Sequence, residues 1–214
     1  MARISVIGGS GYAGGHIVRE AVKRGHQVMA YSRRAPSSNV PGAEYVEADV
    51  LSDGTLQRTT RDADVVVCAL SPRGPLAGRT RQAVADLAAL VGQQGIRLGV
   101  VGGAGSLRIG EHGPLVKDTA DFPAEFKAEA EEMGAVLEDL RTSDAELDWF
   151  YVSPAGGFGA WAPGTATQNY RLGGDQLLVD ADGRSDLSGA DLAHAVLNEI
   201  ETPAHRRARF AVAY

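Results

Sequence analysis

Seven residues near the N-terminus, Gly8-Gly9-Ser10-Gly11-Tyr12-Ala13-Gly14, lie between a short apolar run, Arg3 to Ile7, and a helix-period segment that continues to Arg24. The stripe of that segment, Ala13, Ile17 and Ala21 beside Gly14, Val18 and Val22, repeats at i, i+4 spacing. Lys23, Arg24 and Gly25 then supply a helix-ending signal. Strand, glycine turn and helix in this order are the opening unit of a doubly wound α/β fold, so the feature restricts the whole chain. Glycines spaced G-x-x-G-x-x-G let backbone approach a pyrophosphate, and the helix start behind them offers free N–H groups and a positive dipole end. Gly8, Ser10, Gly11, Tyr12, Ala13 and Gly14 are therefore expected to hold a dinucleotide. The alternative is a tight turn that serves helix packing alone.

The remainder of the chain alternates short apolar runs with helix-period segments, the pattern of βαβ units. Further strands are expected at Gln27 to Ser32, Glu44 to Glu47, Asp64 to Leu70, Arg97 to Val101 and Asp148 to Val152. Helices are expected from about Asp53, around the stripe Val84, Leu87, Ala88 and Val91, and around Phe126, Ala130, Met133, Leu137 and Leu140. Acids between Asp121 and Glu132 interleave with the last stripe and read as a solvated face. From Pro154 to Gly174 periodicity stops, Gly and Pro crowd in, and Phe158, Trp161 and Tyr170 are interspersed. Asp175 to Val179 then reads as a strand. Ser188 and Asp191 form a capping-box-like start to a helix bearing Leu192, Val196, Leu197 and Ile200, and Arg209 to Ala213 is a closing strand. The expected architecture is one Rossmann domain over 1–214, a doubly wound parallel sheet with helices on both faces, in which 154–189 form a small loop-rich C-terminal substrate lobe.

In the common NAD pattern an acid at the end of the second strand binds the ribose hydroxyls. No acid occurs between Gln27 and Ala43, and the strand ends Tyr31-Ser32-Arg33-Arg34. Guanidinium groups there suit a 2′-phosphate, which points to NADPH with NADH as the lesser choice. Against this, the chain holds 18 Arg and 3 Lys and places Arg everywhere, so one or both can instead be solvated loop residues, Arg34 more readily than Arg33.

Composition removes several other classes. The 21 basic and 27 acidic side chains leave a formal net charge of −6 with no basic cluster, which argues against nucleic acid. The longest apolar run, Val65 to Leu70, falls far short of the roughly 18 residues of a membrane span. The N-terminal residues lack signal-peptide features, so a cytoplasmic address is expected. The one cysteine, Cys68, excludes multi-cysteine zinc patterns and reads as a small apolar core residue. His16, His26, His112, His194 and His205 show no metal-ligand spacing, and no metal is expected.

The chain resembles the atypical short-chain dehydrogenase/reductases of the NAD(P)H-binding, NmrA-like group, and within it the NADH-flavin reductases and biliverdin IXβ reductase. The residues that carry this are the glycine loop, Ser32-Arg33, Ala48-Asp49-Val50, Asp64-Val65-Val66-Val67, Val100-Val101-Gly102-Gly103-Ala104-Gly105-Ser106-Leu107, Asp148 to Ala155 and Asp191-Leu192-Ala193. They run through nearly the whole chain. The resemblance implies that Asp49 and Val50 flank the adenine, that Ala69, Leu70 and Ser71 follow the ribose, that Ser153, Pro154, Ala155 and Gly156 line the nicotinamide, and that Gly103 is a further cofactor-binding residue. Core packing accounts for each of these residues taken alone.

The larger family protonates an alkoxide with Tyr-x-x-x-Lys. None of the six tyrosines here has a Lys four residues later, and if Lys127 holds the Lys place, Pro123 holds that of the Tyr. This disfavours alcohol, ketone and epimerase chemistry. It leaves hydride transfer to planar acceptors, such as a flavin, quinone or tetrapyrrole, that take hydride at a delocalised centre and a proton from solvent. Ser106 stands at the place of the family's catalytic Ser, and Lys127 is the other catalytic candidate, for the ribose hydroxyls. A turn serine and a helix-surface lysine paired with Glu131 are the alternatives. Phe158, Trp161 and Tyr170 are either an aromatic lid on the acceptor or the core of the small lobe. A reading from another class is an NmrA-like regulator that senses NAD(P) without turnover. Oligomeric state is not legible.

Overall fold

The computed structural model describes residues Met1–Tyr214. β1 (Arg3–Ile7), α1 (Tyr12–Lys23), β2 (Gln27–Ser32), β3 (Ala43–Glu47), α2 (Thr55–Thr60), β4 (Val65–Cys68), α3 (Thr80–Gln94), β5 (Arg97–Val101), α4 (Lys127–Arg141), β6 (Trp149–Pro154), β7 (Arg171–Gly173), α5 (Gly189–Glu201) and β8 (Ala208–Ala213) follow in chain order. Eight strands form one sheet in the order β3-β2-β1-β4-β5-β6-β8-β7. All neighbours run parallel except β7, which pairs antiparallel with β8 at the edge. The doubly wound fold expected of the sequence is present.

The period-2 alternation of β1 explains its two-sided burial. Ile4 and Val6 join Ile17, Val18 and Ala21 of α1 and Leu192 and Val196 of α5 on one face. Ile7, Val66 and Cys68 face Val84, Leu87 and Val91 of α3 and Met133, Leu137 and Leu140 of α4 on the other. β4, β5 and β6 are buried along their whole length, as strands covered on both faces must be. Helix α5 begins where the Ser188 hydroxyl accepts from the Asp191 amide, the capping geometry its sequence predicts. No helix is long and apolar enough to cross a membrane.

Two expectations need correction. The strand anticipated at Asp175 to Val179 is absent; β7 lies four residues earlier. Arg171, Leu172 and Gly173 take the register along β8, while residues 175–177 bond with Arg108, through Arg108 N to Asp175 O and Leu177 N to Arg108 O, both 2.8 Å. The acids at the start of α4 are more than a solvated face. Glu129 accepts from the Ser71 hydroxyl at 2.8 Å and from Arg73 at 2.5 Å. Glu132 accepts from the amides of Gly78 and Arg81. These carboxylates fasten the connection between β4 and α3 to α4, and Glu132 caps α3 from a neighbouring helix, a role that local spacing does not reveal.

Because β1 leads to β2 and β3 on one side and the chain then crosses to β4, β5 and β6 on the other, the direction of winding reverses between β1 and β4. The carboxyl ends of these strands border the crevice in which such sheets hold ligands.

Candidate dinucleotide site

The glycine loop closes tightly on itself. Gly8 has φ +84°, and its amide and that of Gly9 both donate to Tyr31 O. A Cβ on Gly8 would stand 2.5 Å from the Ala69 carbonyl oxygen, and one on Gly14 would run into the Gly8 carbonyl. These two positions need glycine for backbone to pass backbone. At Gly11 the only neighbour of an added Cβ is Gly8 O, at 3.2 Å, so its outer side is open. Gly11 caps α1 with no side-chain bond, and the amides of Ser10, Tyr12, Ala13 and Gly14 find no acceptor within the protein. Free amides are common to helix starts; here no side chain caps them, and the outer side at Gly11 is open, so they stay available to a ligand. Here they form a cradle at the positive end of a helix, and a pyrophosphate fits it.

At the end of β2 the buried Ser32 hydroxyl donates to Arg34 O at 2.8 Å, which folds the chain sharply and leaves Arg33 and Arg34 exposed. Neither guanidinium has an ion-pair partner, although nine other arginines of the chain do. Asp49 turns its carboxylate back to accept the amide of Leu51 at 3.0 Å, which fixes the turn containing Val50.

The opposite end of the crevice is formed by the connections after β4, β5 and β6. Ala69 N donates to Ile7 O, so Ala69 and Leu70 run alongside the glycine loop, while the Ser71 hydroxyl is engaged by Glu129. Gly103 has no neighbour within 4 Å of an added Cβ and faces open space. Ser153, fully buried at the end of β6, carries a hydroxyl with no partner. A buried polar atom left unpaired is costly unless a ligand completes it, and a carboxamide suits a hydroxyl. The cradle, this orphaned hydroxyl and the open face at Gly103 all fit a nicotinamide dinucleotide laid across the strand ends.

The polar side chains near β5 already have partners, and of these only Ser106 keeps its own proton free. Ser106 is half-buried, and its hydroxyl and carbonyl accept from Arg209 at 2.9 and 3.1 Å. Arg209 is buried on β8 and also pairs with Asp175, which Arg141 joins at 2.6 Å. Burial raises the Asp175 carboxyl, but its bonds to Arg209 and Arg141 outweigh this and hold it below the ordinary range. Lys127 gives its ammonium to Lys117 O at 2.5 Å and Asp118 at 2.9 Å, and not to Glu131. Tyr151 is completely buried, donates to Met133 O at 3.1 Å and has its phenol pushed far up by burial. Sequence reasoning missed Arg209. Its signal was a charged residue at the start of an otherwise apolar closing strand.

Phe158, Trp161 and Tyr170 are not brought together. Phe158 packs edge-on against Tyr12 of the glycine loop, ring centres 5.4 Å apart. Trp161 is 67% exposed on the loop that follows. Tyr170 lies elsewhere, bonded to His194 and Asn198 of α5 at 3.0 and 2.8 Å. Arg24, at the far end of α1 from the cradle, reaches the same Asn198 and the His194 carbonyl. Tyr170 therefore packs the outer side of α5 at the end remote from the crevice.

A family model described as NAD(P)H-binding matches residues 8–203. The chain belongs to this NAD(P)H-binding family, whose NmrA-like and atypical short-chain dehydrogenase/reductase character agrees with the motifs above. YwnB of Bacillus subtilis (strain 168), an uncharacterized protein, is 36% identical over 215 residues, covering 98% of this chain and 97% of its own. A crystal structure from Streptococcus pneumoniae, provisionally named an NADH-flavin reductase, is 33% identical with a TM-score of 0.82 and covers 100% of this chain and 99% of that one. Another from Bacteroides thetaiotaomicron, provisionally named an epimerase, is 31% identical with a TM-score of 0.88, covering 100% and 97%.

Proposed function

We propose that this protein is an NADPH-dependent oxidoreductase that passes hydride to a planar acceptor such as a flavin or quinone, drawing on the cytoplasmic nicotinamide pool, with 154–189 as its substrate lobe. The observation that carries the reading is the absence of a poised phenol at the nicotinamide end. Tyr151 is sealed in the core, and the Lys127 ammonium is spent on Lys117 O and Asp118. Reduction of a ketone needs a protein acid beside the carbonyl, whereas a delocalised ring accepts hydride and takes its proton from water. The Streptococcus pneumoniae relative's name is in keeping with such an acceptor.

In this reading the amides of Ser10, Tyr12, Ala13 and Gly14 hold the pyrophosphate, and Arg33 and Arg34 meet the 2′-phosphate. Asp49 and Val50 border the adenine. The Ser153 hydroxyl, with Pro154, Ala155 and Gly156 beside it, orients the carboxamide. Ser106, held by Arg209, directs its own hydroxyl proton toward the acceptor. Phe158 and Trp161 exclude water over the acceptor ring. Bound NADPH supplies the hydride and both electrons, and the protein supplies orientation.

The test follows nicotinamide absorbance with FMN, riboflavin, a small quinone and biliverdin, beside a binding titration of NADPH and NADH. Oxidation above the protein-free blank, abolished in Gly11→Trp because the side chain fills the cradle, is the expected result. Tight binding with no oxidation of any acceptor would overturn it in favour of a regulator that holds NAD(P).

A further inference from the structure

We infer that Tyr12 is a positioning residue that makes dinucleotide and acceptor bind cooperatively, because one side chain joins the phosphate cradle to both ends of the loop that presents Trp161. This rests on the function proposed above. The backbone of Tyr12 is part of the cradle: its amide is one of the unpaired donors at the start of α1. A pyrophosphate seated there restrains this residue. Its side chain leaves the cradle altogether. The ring packs edge-on between His16, at 5.1 Å, and Phe158, at 5.4 Å. The hydroxyl donates to Pro163 O at 3.2 Å and accepts from Gly189 N at 3.1 Å.

Phe158 and Pro163 bracket Trp161, so Tyr12 grips the loop before and after its exposed indole. No other hydrogen bond from outside reaches residues 158–164; within them Ala162 N returns to Gly159 O. The loop has no helix or strand, and its apolar contact with the core is Phe158. Segments with few such ties open at low free energy, and their order depends on the ties they have. Downstream, Thr167 and Gln168 are fixed by Asp191, so the freedom is confined to the stretch that Tyr12 holds.

A dinucleotide that orders Tyr12 thereby orders the Trp161 loop before the acceptor arrives. The acceptor then binds without the entropy loss of ordering it, and linkage requires the acceptor to tighten the dinucleotide by the same factor. NADP⁺ and oxidised riboflavin are a non-reacting pair that makes this factor measurable by calorimetry in both directions. The expected factor in the wild-type chain is about fivefold or more, within the usual range of such coupling, falling to about one in Tyr12→Phe. That variant keeps the ring against Phe158 and His16 and removes both hydrogen bonds. Hydrogen exchange gives a second readout that needs no acceptor: NADP⁺ alone is expected to slow exchange at residues 158–164 in the wild type and not in the variant. An equal coupling factor in both chains, or NADP⁺ binding that leaves exchange in the loop unchanged, would overturn the inference. Failure of the wild-type chain to bind NADP⁺ at all would instead remove the cofactor reading beneath it.

Discussion

The hydroxyl of Tyr214 donates to the carboxylate of Asp191 at 2.6 Å, at a point where Asp191 has no solvent exposure. The same carboxylate accepts the amides of Thr167 at 2.8 Å and Gln168 at 2.9 Å. Gln168 adopts a positive φ of 58°, a conformation costly for a side chain with a Cβ. One buried acid thus joins Tyr214, the cap of α5 and the strained turn at Thr167 and Gln168. Burial raises the Asp191 carboxyl, but bonds from Tyr214, Thr167, Gln168 and Ser188 outweigh it and hold it below the ordinary carboxylate range.

Tyr214→Phe is expected to lower stability by about 2 kcal/mol, the worth of a hydrogen bond to a charged group. Since the folded carboxyl binds its proton at lower pH than the unfolded one, its contribution is complete above the unfolded value of about 3.9 and is lost as pH falls through the folded value. Urea midpoints across pH test this. Asp191→Asn should be less stable than wild type at neutrality and decline less steeply in acid. Parallel acid limbs for the two chains would show that Asp191 does not titrate as argued.

Arg209→Met is expected to cost about 2 kcal/mol, less than the roughly 3–5 kcal/mol for breaking a fully buried pair, because half-exposed Asp175 can be rehydrated and still has Arg141. Loss of the bonds to Ser106 should also loosen the connection after β5. Chemical denaturation reports the first effect. Faster hydrogen exchange at Gly103 to Leu107 reports the second, and unchanged exchange there would count against a positioning role.

Arg33→Asp should weaken NADPH by roughly 10- to 100-fold, the value of one or two charge-assisted bonds, while NADH is affected little. The basis is an exposed guanidinium with no ion-pair partner at the end of β2. Titration of both cofactors checks it, and equal weakening of the two would remove the 2′-phosphate assignment.

Cys68 should resist thiol reagents in the folded protein. It is buried in the core, and desolvation pushes its thiol up to about 11, so little thiolate forms at neutral pH. Reaction with an aromatic disulfide reagent should follow unfolding by urea. Rapid modification without denaturant would contradict the closed packing around β4.

What the sequence by itself determined is what local spacing encodes. The glycine loop, the stripes of α1, α3 and α4 and the β-branched run of β4 each contain their own periodicity, so the parallel sheet, its two covered faces and the cradle followed from residues close together in the chain. The Ser188–Asp191 cap was legible for the same reason. Tertiary structure alone decided which side chains meet. Arg209 reaches Ser106 across 103 residues, and Tyr12 reaches Pro163 across 151. It also decided that 171–173 takes the sheet register while 175–177 turns to Arg108, and that Tyr170 packs on α5 and not beside Phe158. Local pattern says which face of an element is buried; only the folded chain says which partner buries it, because strand edges and polar side chains choose among acceptors that no sequence spacing ranks.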